Sequence, residues 1–165
     1  MSGQHTSALL ALDTNGYIEI ARRTAHGGRL LALLSRQRSR LVVLAPVVAE
    51  LLQGAHTPRE QRVVVATTFE AVPPARRVAP TADEWLDAGR ALARMAAARH
   101  DSAELSRRSF YLDVLAAVLC RKRGVTLVTA DRDHERIRPH VGHAVEPYPG
   151  SGARPAAGAS WGVPA

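Results

Sequence analysis

Val125-Thr126-Leu127-Val128-Thr129-Ala130-Asp131 is a short apolar run that ends in an acid. An apolar run of about five residues marks a strand buried on both faces, as in a parallel sheet. Ala8-Leu9-Leu10-Ala11-Leu12 closes in the same way on Asp13, and Leu41-Val42-Val43-Leu44 leads across Pro46 to Glu50. Helical patterns separate these runs. Strands alternating with helices imply crossover units, and hence an α/β fold: a three-layer α/β/α sandwich with a mostly parallel sheet of four or five strands. Ligands of such sheets bind beyond the carboxyl ends of the strands, where these acids fall.

Working outward, Asp13, Thr14 and Asn15 are all N-cap types, and a helix is expected from about Asn15. Gly27-Gly28 is expected to interrupt it, with a second amphipathic helix over residues 29–40. Pro46 suits the first turn of a helix that carries Glu50 and ends near Gly54, and Thr57-Pro58-Arg59-Glu60 opens another. Phe69-Glu70-Ala71-Val72 reads as a short strand closed by Pro73-Pro74. Thr81 caps the next helix, where Trp85, Leu86, Ala88, Leu92 and Met95 recur at helical spacing and Trp85 reads as a core residue. A further helix holds Asp113 and stops at Gly124 behind Arg121-Lys122-Arg123. A short helix over 132–138 and a weak strand over 144–146 complete the domain, taken as residues 1–148. The Gly/Pro/Ala-rich residues 149–165 read as a disordered tail.

The 165 residues suffice for one domain with its own core, and 46% apolar with 22% charged residues is a globular composition. The single Cys120 allows no disulfide framework within the chain, and the polar N-terminal stretch lacks the marks of a secretory leader. A cytoplasmic protein with no membrane span is expected. The net charge of +7 favours polyanionic or acidic partners. Of the 22 basic residues, 21 are Arg, a bias that coding composition also explains. No phosphate-binding glycine loop is present, because no Lys-Ser/Thr pair follows Gly27-Gly28. His134, His140 and His143 come without a cysteine or the helical spacing of a zinc site.

Taken singly, Asp13 and Asp131 are as well explained as helix caps, and Glu50 as a solvated helix residue. Asp113 is harder to dismiss. It sits inside Phe110-Tyr111-Leu112-Asp113-Val114-Leu115-Ala116-Ala117, on a helical face that is otherwise apolar. A carboxylate buried without a partner costs several kcal/mol. A metal ion, an open cleft, or a salt bridge to Arg107 or Arg108 are the alternatives.

Together the segments are more specific. Leu12-Asp13-Thr14-Asn15, Ala45-Pro46-Val47-Val48-Ala49-Glu50, Leu112-Asp113-Val114-Leu115-Ala116-Ala117 and Leu127-Val128-Thr129-Ala130-Asp131-Arg132-Asp133 resemble the PIN-domain nucleases, and among them the VapC-type toxins of toxin–antitoxin pairs. The resemblance spans residues 8–147. Gly16-Tyr17 and His134 depart from the family's usual aliphatic residues and Phe, and no acid is lost.

The resemblance implies a PIN-like fold and an endoribonuclease that cleaves single-stranded RNA by water attack on the phosphodiester. Its cofactor would be Mg2+ or Mn2+. Asp13, Glu50, Asp113 and Asp131 correspond to the catalytic quartet, with Asp13, Asp113 and Asp131 on the metal. Asn15, Thr129 and Asp133 correspond to residues that support them. Arg22, Arg107 and Arg108 are candidates for RNA contact, although solvated helix faces explain them equally. The implied partners are RNA, a cognate antitoxin and a second copy of the chain. A PIN nuclease of RNA processing or decay, and a catalytically silent binding module, are the alternatives.

Overall fold

The computed structural model describes residues 8–98, 105 and 107–149. The expected tail from residue 150 onward lies outside them. Two apolar runs form the centre of the sheet. β1 (Leu9–Leu12) lies parallel to β4 (Val125–Val128), with Leu9 opposite Val125 and Leu12 opposite Val128. β5 (Ala144–Glu146) extends the same sheet beyond β4. On the other side, β2 (Val43–Leu44) pairs in parallel with β3 (Arg77–Val78). A single bridge between Leu10 and Leu41 joins the two pieces, with Leu10 N–H donating to Arg40 O (3.0 Å) and Val42 N–H to Leu10 O (2.8 Å). The strand order is therefore β3-β2-β1-β4-β5, all parallel, and every carboxyl end faces one edge.

Helices connect and cover the strands in an α/β/α arrangement. α1 (Thr14–Ala21) starts where the Asp13 side chain accepts from Gly16 N–H. α2 (Ala25–Arg36) is capped by Thr24. α3 (Ala45–Gln53) has proline in its first turn, and α4 (Pro58–Thr67) and α5 (Ala82–Ala97) each begin with a complete Thr/Glu capping box. α6 (Arg108–Arg123) ends at Gly124, whose φ of 63° is the left-handed conformation that favours glycine. α7 (Asp133–Val141) follows β4.

α6 is the hub. Its residues Val114 to Cys120 are all buried. Ala116, Leu119 and Cys120 pack with Leu10, Leu12, Leu44 and Leu127 of the strands. Phe110, Val114 and Leu115 pack instead with Met95 of α5 and Ile137 of α7. A helix covered on most sides reads as apolar all round, which is why Asp113 stood out in the sequence.

Several expectations are corrected. Gly27-Gly28 does not interrupt a helix; both lie within α2, and the chain turns instead at Arg23, with a φ of 53°. A Cβ on Gly27 would come within 2.0 Å of Glu19 O, so glycine here lets α2 approach the backbone of α1. Phe69–Val72 is a turn, not a strand. Its apolar residues are held by packing, with Val72 buried beside Leu41 and Val43, and Arg77 lying over the Phe69 ring at 4.7 Å. The ladder position beside β2 is taken by Arg77 and Val78. Trp85 is not core; it is 43% exposed and stacks on Tyr111 with ring centroids 5.7 Å apart. No helix among the described residues is long and apolar enough to cross a membrane.

Candidate metal centre at the sheet edge

Asp13 is the first residue past β1, and it is buried. Its carboxylate accepts from three donors. Gly16 N–H (2.7 Å) and the Tyr148 hydroxyl both donate to Oδ1, and the Thr129 hydroxyl donates to Oδ2 (2.5 Å). Burial pushes the Asp13 carboxyl up to about 6, against the opposing pull of these hydrogen bonds.

Thr129, the first residue past β4, connects two acids. It donates to Asp13, and its oxygen accepts from Asp131 N–H at 2.9 Å. Asp131 Oδ1 accepts from Asp133 N–H (2.9 Å), which fixes the turn into α7, and Oδ2 accepts from Asn15 Nδ2 (3.3 Å). Asn15 and Thr129 thus each hydrogen-bond to an acid at this edge. From α3, Glu50 reaches the Thr14 hydroxyl, which donates to Oε2 at 2.5 Å. The Glu50 carboxyl is raised, chiefly by burial and also by the Asp131 charge.

Asp113 enters from α6 and is half-buried. The salt bridge considered for it is not made: Arg107 Nη2 lies 3.2 Å from Asp133 Oδ2 instead, and Arg136 Nη1 lies 3.2 Å from Asp133 Oδ1. Burial first, then the charges of Glu50, Asp131, Asp13 and Asp133, hold the Asp113 carboxyl well above the usual carboxylate range. Among the described residues, the set of metal-type side chains with ligand atoms all within 4.8 Å of one another is Asp113, Asp131 and Asp133. Asp133, expected at the periphery, is part of it; Asp13 and Glu50 flank it.

The donor set fits a hard divalent cation. All its ligand atoms are carboxylate oxygens, and Mg2+ takes oxygen ligands while retaining several waters. The crowding of like charges around Asp113 is what a bound cation relieves.

The remaining candidates are placed elsewhere. Arg22 closes α1 at the surface and Arg108 is exposed at the start of α6. His134 and His143 are buried against each other, Nδ1 to Nε2 at 3.2 Å, and burial lowers them to about 3 and about 4. They form a neutral packing pair between α7, which carries His134, and the residues that follow it. Cys120 is buried and its thiol is pushed up to about 12, so it is no nucleophile. Thr14 and Tyr148, whose hydroxyls donate to Glu50 and Asp13, are the residues at this edge that the sequence did not single out. Thr14 stands inside the Leu12–Asn15 segment that flagged the site; Tyr148 carried no signal beyond being an aromatic residue just after β5.

The PIN domain family model matches residues 10–138, and the chain belongs to that family. Among solved structures, it is similar in fold to DNA-bound VapBC from Salmonella typhimurium, at 19% identity and a TM-score of 0.62, over 86% of this chain and 98% of that one. It is also similar to VapBC2 from Rickettsia felis bound to a promoter DNA fragment, at 16% identity and a TM-score of 0.62, over 86% of this chain and 99% of that one. FitAB bound to the IR36 DNA fragment gives 17% identity and a TM-score of 0.61, over 84% and 94%. No curated protein matches the sequence.

Proposed function

We propose that the protein is a Mg2+- or Mn2+-dependent endoribonuclease that cleaves single-stranded RNA and acts in the cytoplasm as the toxin of a toxin–antitoxin pair. The observation that carries this reading is Asp113: a carboxylate on a buried helix, crowded by four other acids, with no cation of the described chain paired to it. Asp113, Asp131 and Asp133 would hold the ion, with Asp13 beside them. Such an ion, when bound, supplies positive charge at a phosphate oxygen and makes a coordinated water more acidic. Glu50 Oε2 is occupied by Thr14, which leaves Oε1 to accept a proton, and the raised carboxyl suits that role. The net charge of +7 supports a polyanionic substrate.

The toxin reading draws support from the fold shared with VapBC and FitAB. An antitoxin protein and a second copy of the chain are the proposed partners. Incubating purified protein with single-stranded RNA tests the chemistry. Cleavage in Mg2+ or Mn2+, leaving a 5′-phosphate and a 3′-hydroxyl, is expected; full activity in excess EDTA, or activity restored by zinc alone, overturns it. Growth arrest on expression, relieved by the neighbouring gene, tests the toxin role separately.

A further inference from the structure

We propose that Tyr148 is a positioning residue for the Asp13 carboxylate, an inference that rests on the nuclease reading above. β5 runs beside β4, with Val128 opposite Glu146, and Thr129 N–H donates to Glu146 O at 2.9 Å. This pairing brings the residues after β5 to the edge where the acids lie. Since β4 separates β5 from β1, Tyr148 reaches over the end of β4 to place its hydroxyl on Asp13 Oδ1.

The phenol is held by packing. The residue is 3% exposed and belongs to the core cluster that contains Leu12, Leu127 and Val128. Gly16 N–H comes from Asp13's own helix start and the Thr129 hydroxyl from just past β4. Tyr148 adds a donor from a third segment, so the carboxylate is clamped at Oδ1 from two sides and at Oδ2 from one. Rotation of the carboxylate breaks several bonds at once. Hydrogen bonds from a preorganised donor replace the hydration that a buried carboxylate loses. Tyr148 also lies beyond residues 10–138, the part that matches the family model.

The test is Tyr148→Phe in the full chain, which keeps the ring and removes the donor. Mn2+ affinity by calorimetry, kcat and KM on single-stranded RNA, and a thermal melt are measured together. Expected are a kcat lower by about tenfold or more with KM within about twofold, and weaker Mn2+ binding by several-fold, in a variant that remains folded at the assay temperature. Unchanged kcat and Mn2+ affinity overturn the inference, as does an activity loss no larger than the unfolded fraction. If wild type binds Mn2+ and cleaves no RNA, the nuclease reading fails, while the two Mn2+ affinities still decide the role of Tyr148.

Discussion

Arg107 Nη2 lies 3.2 Å from Asp133 Oδ2, so the cation that stood ready to neutralise Asp113 is drawn to the rim of the acidic cluster instead. The Arg107 side chain is 48% exposed, and an ion pair of this kind contributes no more than about 1 kcal/mol. Arg107→Ala should leave the melting temperature nearly unchanged. It should tighten Mn2+ binding, because one positive charge leaves the site, and raise KM for RNA if Arg107 also meets the substrate. Calorimetry and steady-state kinetics check both signs; weaker Mn2+ binding would show that Arg107 organises the ligands.

The acids should make the metal-free protein less stable as pH rises. The Asp13 carboxyl moves from its usual 3.8 to about 6, and Asp113 is raised in the same direction. A group raised on folding contributes stability that is fully present below its unfolded value and lost as pH passes through its folded value. For Asp13 that window runs from about 4 to about 6 and amounts to about 3 kcal/mol. Millimolar Mg2+ should restore the loss by binding the folded, ionised site. Melts at pH 5 and pH 8, with and without Mg2+, test this; a flat profile without metal contradicts it.

Asp113→Asn keeps the shape of the side chain and removes one of the crowded charges. It should raise the metal-free melting temperature at pH 8 and reduce cleavage to background. A variant that melts below wild type shows Asp113 to be a structural residue.

Two adjacent glycines should respond in opposite directions. Gly27→Ala drives a Cβ to 2.0 Å from Glu19 O, a backbone atom that cannot swing away, and should destabilise by about 1–3 kcal/mol or more. A methyl group added at Gly28 would meet nothing within 4 Å, and Gly28→Ala should stabilise α2 by roughly 0.5–1 kcal/mol. Urea unfolding of the pair reads both.

Glu84 is 3% exposed, caps α5 through Thr81, and accepts from Arg123 Nε (3.0 Å) and Nη2 (3.2 Å) at the end of α6. Glu84→Ala should cost about 1–2 kcal/mol, through the lost cap and the lost bonds to the half-exposed Arg123, with kcat unchanged. A large fall in kcat in folded protein would tie the α5–α6 contact to catalysis.

The sequence by itself determined the elements whose signals are local. The apolar runs at Leu9–Leu12 and Val125–Val128 became the central strands because each is flanked by turn and cap residues and is apolar on both faces. Thr57/Glu60 and Thr81/Glu84 specified two helix starts within four residues each. Asp113 announced itself because a charge in an apolar helix demands compensation. Other features depended on partners far along the chain. Phe69–Val72 is apolar enough for a strand, but a strand exists only where a neighbour offers its backbone, and Val43–Leu44 offered it to Arg77–Val78. Gly27 read as a breaker because its close contact, Glu19 O, is on another helix. The Asp13–Tyr148 bond joins residues 135 apart, and Thr14–Glu50 joins residues 36 apart. No local pattern encodes such pairs: hydrogen bonds select by distance and direction in space, and those are set only once the parallel sheet has brought its carboxyl ends to one edge.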